Sequence, residues 1–151
     1  PDIVVFLDGD FSDYPEEIEK LVAPIESGEI DFVLGSRMIL PESRLALLPQ
    51  SRYGNQLAVL LIRIFFSHQY TDLGPFRAIR YNSLKSICMQ DTNFGWTVEM
   101  QIKAVKKGLR ILEIPVKYRD RIGVSKITGT FSGTVQAGTK IIYTIFKYLL
   151  T

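Results

Sequence analysis

The chain has little cysteine, little histidine and no long uninterrupted apolar stretch. Its single cysteine, Cys88, excludes an intramolecular disulfide and fits a reducing compartment. Its single histidine, His68, has no partner that would point to a site. The longest apolar run, 57–66, is broken by Arg63 and falls short of the roughly 18 residues of a membrane span. With no signal peptide at its start, the chain is expected to be cytoplasmic, either free or peripheral on the cytoplasmic face of a membrane.

The chain also lacks an excess of charge of either sign. It has 18 lysines and arginines against 16 aspartates and glutamates, and the basic residues are spread out, so no nucleic-acid partner is expected. With 46% hydrophobic and 23% charged residues in 151, the composition is that of one soluble globular domain. The sequence starts without methionine and enters a strand at once, which predicts that a longer protein precedes it.

Alternating apolar runs and helical patterns predict an α/β domain. Residues 3–7 and 30–36 are wholly apolar or β-branched runs of the kind found in parallel sheets buried on both faces. Between them a helix is predicted, with Asp13 and Glu16 as a capping box and Pro24 and Gly28 as its end. Its inward face is predicted from apolar residues at i, i+3, i+4 and i+7, which are Ile18, Leu21, Val22 and Ile25. This strand–helix–strand unit favours a mostly parallel sheet flanked by helices.

The rest of the chain continues the α/β pattern. Residues 37–50 are predicted to be an irregular loop, and Tyr53–Phe66 a helix that is apolar on nearly every side. Further strands are expected at 75–80 and 109–118, helices at 83–89, 97–107 and 139–150, and a polar basic loop at 119–129. The predicted division is one α/β unit over 1–129, followed by an amphipathic helix within 130–151.

Two aspartates follow the first strand directly. In an open parallel sheet, ligands bind beyond the carboxyl ends of the strands, where Asp8 and Asp10 fall. Gly9 lets the backbone bend, so both carboxylates can face one Mg²⁺ or Mn²⁺ that bridges phosphate oxygens. A lone Asp-x-Asp is weak support, because aspartate is also common in turns. On these residues alone, a metal–phosphate site and a pair of turn caps both remain open.

Two other groups of residues could carry chemistry. The segment "KYRDRIGVSK" holds Arg119, Arg121, Ser125 and Lys126, whose donors suit phosphate, although a solvated basic loop is the commoner case. In "FGWTVEMQ", Glu99 is either a general base or a carboxylate that pairs with the helix dipole. Trp96, next to it, is either a sugar platform or part of the core.

Several motifs occur together in one order: "DGD", "DFVLGSR", "SRYGN", "TDLGPFRAIR", "GWTVEMQIKAVKKG" and "EIPVKYRDRIGVSK". This ordered set resembles the family 2 glycosyltransferases of the GT-A (Rossmann-like) fold, over residues 1 to about 130. Within the family it is most similar to dolichyl-phosphate mannose synthases and polyprenyl-phosphate sugar transferases. The resemblance implies a partial GT-A fold that lacks the family's N-terminal nucleotide-binding half.

The resemblance also implies roles for individual residues. Asp8 and Asp10 would hold Mg²⁺ or Mn²⁺ on the diphosphate of a nucleotide sugar, and Arg37 would lie near the sugar. Glu99 and Asp72 are the implied catalytic carboxylates. The implied substrate-binding residues are Arg37, Arg77, Trp96, Arg119, Arg121, Ser125 and Lys126. Ser12 stands where lipid-phosphate members often have a glutamine.

The implied reaction is inverting transfer of a sugar from a UDP- or GDP-sugar to a polyprenyl phosphate. The alternatives are transfer to a saccharide hydroxyl, for which Glu99 must take a proton, and a binding or assembly module without turnover. The C-terminal helix has an apolar face opposed by Lys140 and Lys147. Its expected partner is a membrane surface, the rest of the domain or a second subunit of a homo-oligomer.

Overall fold

A mixed four-stranded sheet forms the centre of the protein. The structure, a computed structural model, describes residues 2–122 and 131–151, with Phe131 by its backbone only. The strands are β1 (Ile3–Phe6), β2 (Phe32–Ser36), β3 (Arg77–Arg80) and β4 (Ile111–Pro115). The helices are α1 (Ile18–Glu26), α2 (Pro41–Ala46), α3 (Pro49–Phe66), α4 (Tyr81–Ile87), α5 (Trp96–Lys106) and α6 (Phe131–Leu150). The predicted α/β class, with helices flanking a sheet, is confirmed.

The strand order is β1-β3-β2-β4. β2 and β4 are parallel, whereas β3 is antiparallel to both β1 and β2. Three of the four strands therefore run in the same direction, but two of the three strand pairings are antiparallel, so the sheet is mixed instead of mostly parallel as predicted. The expected strand–helix–strand unit is present as β1, α1 and β2, but β3 lies between its two strands, because the later segment 77–80 pairs with both of them.

The sheet is covered on both faces, which explains its continuous apolar strands. Phe32 and Leu34 point to a core shared with α3, α5 and α6, while Val33 points to the opposite core with α1. The same alternation places Ile79 in the first core and Ala78 in the second. The predicted inward face of α1 is also confirmed, since Leu21 and Ile25 are fully buried and Ile18 and Val22 pack beside them.

Three local predictions were wrong. Residues 37–50 include the helix α2 and the start of α3, both of which have proline in their first turn. The capping box at Asp13 does not form, because Pro15–Glu17 is a 3-10 turn that begins after Tyr14 without a side-chain cap. Pro24 lies inside α1 rather than ending it, and the chain leaves the helix at Ser27 and the left-handed Gly28.

The C-terminal helix α6 is longer than predicted and packs against α3 and α5. It buries Ile145, Thr144 and Tyr148 against those helices. The part of the chain that the structure describes contains no helix long and apolar enough to cross a membrane.

Candidate functional site

The predicted site residues converge at one end of the sheet. β1, β2 and β4 all end there, and the antiparallel β3 begins there, with Arg77 paired to Phe6 and Leu34. We call this region the carboxyl end of the sheet. Asp8 and Asp10 follow β1, Arg37 follows β2, Asp72 precedes β3, and Arg119 and Arg121 follow β4. The topology thus gathers residues that are more than 100 positions apart in the sequence.

Asp8 and Asp10 lie side by side in different environments. Partial burial and the negative charge of Asp10 raise the pKa of Asp8, against the opposing effect of Arg37 and Arg121. Burial also acts to raise the pKa of Asp10, but hydrogen bonds from Ser12 and the charge of Arg121 hold it below its ordinary value. The Ser12 hydroxyl and its backbone N–H both donate to Asp10 Oδ1. Ser12 therefore orients the second aspartate.

Asp13 is a third carboxylate at this end, and the sequence analysis assigned it only to a helix cap. Its side chain is 1% exposed, and its Oδ2 accepts a hydrogen bond of 2.9 Å from the Asp8 backbone N–H. Its Oδ1 is buried and has no hydrogen-bond partner among the residues that the structure describes. Burial raises the pKa of Asp13 to about 6. This carboxyl fixes the backbone at the first aspartate and brings a further acidic group to the site.

The loop after β4 is attached directly to the loop after β1. Arg121 lies 3.1 Å from Asp10 Oδ2, and the backbone N–H of Ile122 donates to the Asp10 carbonyl. The Arg119 guanidinium stacks over the Phe11 ring at 3.4 Å and donates to the Phe11 carbonyl at 2.6 Å. The aspartate pair and the described part of the basic loop therefore form one site. Ser125 and Lys126 lie outside the described residues.

Phe11 has an unusual backbone at this junction. Its φ is 70°, in the left-handed region that bulky residues rarely adopt, and its side chain is 55% exposed. Strained residues of this kind cluster at functional sites. Neither the sequence pattern nor the resemblance pointed to Phe11.

Arg37 and Asp72 form a bidentate ion pair at the centre of the carboxyl end. Arg37 Nε lies 2.8 Å from Asp72 Oδ2, and the Arg37 NH2 group lies 2.9 Å from Oδ1. Asp72 is fully buried, and its loop is held further by Glu113, which accepts from the Thr71 and Asp72 backbone N–H groups. Arg37 also lies 5.1 Å from the ring of Tyr118. The pair thus joins β2, β4 and the loop before β3.

Arg77 is close to the site but presents no exposed atom to it. The side chain is fully buried, and its guanidinium donates to the carbonyls of Leu73, Gly74 and Thr97. It lies 5.0 Å from the centre of the Trp96 ring. Burial lowers the pKa of Arg77 to about 9. With this placement, Arg77 is better suited to holding the 72–76 loop in position than to contacting a ligand.

Trp96 packs in the core and also lines a cavity, and its role as a sugar platform stays a prediction. Its ring packs 5.3 Å from Phe6, centre to centre, as a core residue would. It also lines an open apolar cavity of about 400 Å³ together with Leu84, Met89 and Met100. The predicted helix that begins here is confirmed as α5.

Glu99 lies among a different set of partners from the carboxyl-end residues. It is fully buried and accepts from the Gln90 and Asp91 backbone N–H groups at 2.8 and 2.6 Å and from the Tyr148 hydroxyl at 2.7 Å. Lys103 Nζ lies 2.6 Å from its Oε1. The structure therefore does not bring Glu99 into contact with Asp8, Asp10, Arg37 or Asp72, and its carboxylate joins α5 to α6.

Within residues 2–122 and 131–151, no group of three or more carboxylate, imidazole and thiol side chains is arranged to hold a metal ion by itself. Asp8 and Asp10 can each supply a carboxylate oxygen as a metal ligand. The Asp8 carboxylate receives no hydrogen bond from a described side chain. Mg²⁺ is usually bound in this way, by one or two carboxylates, with water and substrate phosphates as the other ligands.

Comparison with known proteins identifies the family. The model of glycosyl transferase family 2 matches residues 1–88, which include Asp8, Asp10, Arg37, Asp72 and Arg77. The chain belongs to glycosyl transferase family 2. The resemblance found in the sequence is therefore confirmed, and the mixed sheet flanked by helices is consistent with a partial GT-A fold.

Curated relatives extend the similarity over most of the chain. An undecaprenyl-phosphate mannosyltransferase of Micrococcus luteus is 30% identical over 138 residues, covering 87% of this chain and 56% of the relative. A polyprenol monophosphomannose synthase of Mycolicibacterium smegmatis is 27% identical over 139 residues, covering 85% and 50%. An uncharacterized glycosyltransferase of Mycobacterium tuberculosis is 29% identical over 136 residues, covering 89% and 61%. The chain spans about half the length of the curated relatives it matches.

Proposed function

We propose that this chain is part of an inverting glycosyltransferase that moves a sugar from a nucleotide-diphosphate sugar to a polyprenyl phosphate. The observation that carries the proposal is the contact between the loop of Asp8 and Asp10 and the loop of Arg121. It unites carboxylates that suit a divalent cation with a guanidinium that suits phosphate, at the end of the sheet where ligands of α/β proteins bind. The family and the names of two relatives support the choice of reaction.

The residues present fit a Mg²⁺ or Mn²⁺ ion held with the donor. Asp8 and Asp10 would be its protein ligands, and a cation between them would relieve the repulsion from Asp10 that adds to burial in raising the pKa of Asp8. The ion supplies stabilisation of the negative charge that develops on a departing diphosphate. Ser12 keeps Asp10 in one orientation through its two hydrogen bonds.

The chain's own side chains perform the remaining binding tasks. Arg121 is partly exposed and can exchange its contact with Asp10 for phosphate oxygens, which guanidinium groups bind through charge-assisted hydrogen bonds. Arg119 is held over Phe11 and Tyr14, so its position is fixed before a ligand arrives. The Arg37–Asp72 pair sets the position of the β2 end against these loops. Ser125 and Lys126 remain predicted phosphate ligands.

The environment of Glu99 favours a phosphate acceptor over a sugar hydroxyl. A hydroxyl acceptor needs a general base within hydrogen-bond reach, whereas a polyprenyl phosphate is already an anionic nucleophile. Glu99 is fully buried and accepts from four donors, including Lys103 and Tyr148. It therefore acts as a positioning residue for α5 and α6. A polyprenyl-phosphate acceptor is held in a bilayer, so the reaction takes place at a membrane surface.

The test is a transfer assay with radiolabelled GDP- and UDP-sugars, offered in parallel a polyprenyl phosphate and an oligosaccharide. The proposal predicts a lipid-extractable product that needs Mg²⁺ or Mn²⁺ and is lost with EDTA. Product on the oligosaccharide alone would establish the saccharide alternative instead. If no transfer occurs and no nucleoside diphosphate binds in a metal-dependent way, the chain would be a binding or assembly module without turnover.

A further inference from the structure

Phe11 lies in the turn that orients the second aspartate of the site. Its φ of 70° is in the left-handed region, and the Ser12 backbone N–H reaches across it to Asp10 Oδ1 at 3.0 Å. The Cβ of a bulky residue is crowded in this conformation, which glycine and asparagine adopt more readily. The chain therefore places a strained aromatic residue directly after a proposed metal ligand.

The hydrophobic core does not explain why this residue is aromatic. The Phe11 side chain is 55% exposed and belongs to neither of the two buried clusters that flank the sheet. Burial of the ring therefore offsets little of the cost of the strained backbone. The ring instead lies against the Arg119 guanidinium, 3.4 Å from the centre of the ring. The use of an aromatic residue here is best sought in that contact.

Arg119 is held by the same turn at several points. Its Nε donates to the Phe11 carbonyl at 2.6 Å, and its backbone N–H donates to the Ser12 carbonyl at 3.1 Å. The ring of Tyr14 lies 4.3 Å from the guanidinium. No carboxylate of a described residue lies within ion-pair distance of this guanidinium, so none of them neutralises its charge. A cation held in place without a counter-ion suits an anionic ligand.

We infer that Phe11 is a positioning residue for phosphate binding, whose ring and carbonyl hold the Arg119 guanidinium next to the pair Asp8 and Asp10. A long side chain that is fixed before the ligand arrives loses less conformational entropy on binding. Glycine or asparagine would relieve the backbone strain but could not stack on Arg119, which explains a bulky residue at this φ. The inference rests on the function proposed above and assigns a role in it to a residue that binds no ligand itself.

The first test measures the affinity of the whole chain for GDP and UDP with Mn²⁺ by isothermal titration calorimetry. Phe11→Leu keeps an apolar side chain but removes the aromatic face, and it should weaken binding roughly three- to ten-fold. Phe11→Tyr keeps the face and should stay within about two-fold of the wild type. The control is Tyr81→Leu, which removes the ring that lies 4.7 Å from Lys85 at the opposite end of the sheet and should not change the affinity.

Double variants test whether Phe11 acts through Arg119. Arg119→Gln should lower the affinity roughly ten-fold, because a charged hydrogen bond to phosphate is lost. Phe11→Leu/Arg119→Gln should bind within about two-fold of Arg119→Gln, because the ring then has no guanidinium to hold. Phe11→Leu/Arg121→Gln should instead show the product of its two single losses, since Arg121 contacts Asp10 and not the ring.

A variant that relieves the strain separates positioning from support of the fold. Phe11→Asn suits the left-handed backbone but has no ring. Its thermal unfolding midpoint should equal or exceed that of the wild type, while its affinity for the nucleotide falls as far as that of Phe11→Leu. The affinity of both variants for Mn²⁺ alone should stay within about two-fold of the wild type, because Asp8 and Asp10 are unchanged. A residue that only stabilised the loop would lose stability and affinity together.

Three results would overturn the inference and leave the proposed function in place. The first is wild-type nucleotide affinity in Phe11→Leu. The second is a loss in Phe11→Leu/Arg119→Gln that equals the product of the two single losses. The third is an unfolding midpoint of Phe11→Asn that falls by more than about 4 °C together with the affinity. An absence of Mn²⁺-dependent nucleotide binding in the wild type would instead contradict the proposed function, and this inference with it.

Discussion

Arg37 and Asp72 meet in a two-point ion pair whose acidic partner has no exposed surface, with 2.8 Å from Nε to Oδ2 and 2.9 Å from NH2 to Oδ1. The Arg37 backbone N–H donates to the same carboxylate at 2.8 Å. Burial acts to raise the pKa of Asp72, but the Arg37 charge and these hydrogen bonds hold it below its ordinary value. The pair joins the end of β2 to the loop before β3 and so holds these two parts of the site together.

The first prediction concerns this pair. Asp72→Asn should lower the free energy of unfolding by about 3–5 kcal/mol, because it leaves a largely buried guanidinium without its counter-charge. Arg37→Met/Asp72→Leu should be less destabilised than the single variant, since neither charge remains. Urea denaturation measures both. A loss of under about 1 kcal/mol for Asp72→Asn would show that the pair does not hold the loop.

The second prediction concerns the pH dependence that Glu99 confers. Burial acts to raise the pKa of Glu99, but hydrogen bonds from Lys103, Tyr148 and two backbone N–H groups outweigh it and lower the pKa below 4.5. The unfolded chain then binds protons more readily than the folded one. The contribution of Glu99 to stability is therefore present above about pH 4.5 and is lost as the pH falls through its lowered folded value.

Glu99→Gln should accordingly lower the free energy of unfolding at about pH 7 by roughly 1–3 kcal/mol, and the difference from the wild type should narrow as the pH falls below 4.5. Tyr148→Phe removes one donor and should reproduce part of the loss. Urea titrations over this pH range measure the effect. A variant as stable as the wild type at neutral pH, but without transfer activity, would return Glu99 to the role of general base.

The third prediction separates ligand binding from stability at Arg121. Its pair with Asp10 is partly exposed, so Arg121→Gln should change the free energy of unfolding by less than about 1 kcal/mol. The affinity for a nucleoside diphosphate with Mn²⁺ should fall roughly ten-fold, because a charged hydrogen bond to phosphate is lost. Arg110→Gln is the control, since Arg110 pairs with Asp31 before β4 begins, at the opposite end of the sheet. Equal affinities for the two variants would contradict a phosphate role for Arg121.

The sequence allowed prediction of the elements whose signal is local. The strand before Asp8 and the helix ending at Phe66 were found from their apolar runs, and α1 was found from its amphipathic periodicity. The ordered motifs identified the family. The placement of β3 between β1 and β2 could not be found in this way, because pairing between distant segments leaves no periodic pattern in either of them.

The site residues that were missed depend on tertiary contacts. Asp13 has the spacing of a helix cap, and only the folded chain shows its carboxylate turned toward the Asp8 backbone. The positive φ of Phe11 has no sequence signal, because such a backbone is expected at glycine or asparagine instead. Glu99 was singled out from the sequence as a carboxylate at the start of a helix. Its four hydrogen-bond donors come from three separate segments, so only the folded chain shows that its carboxylate joins α5 to α6.

The central claim is that Asp8 and Asp10 bind a divalent cation together with a nucleoside diphosphate. The direct measurement is electron paramagnetic resonance of free Mn²⁺, titrated with the chain in the presence and absence of GDP or UDP. The account predicts Mn²⁺ binding that the nucleotide strengthens, a loss of about ten-fold or more in Asp8→Asn and in Asp10→Asn, and no change in the exposed control Asp120→Asn. Mn²⁺ binding of the same strength in all four proteins, or none in the wild type with nucleotide present, would contradict it.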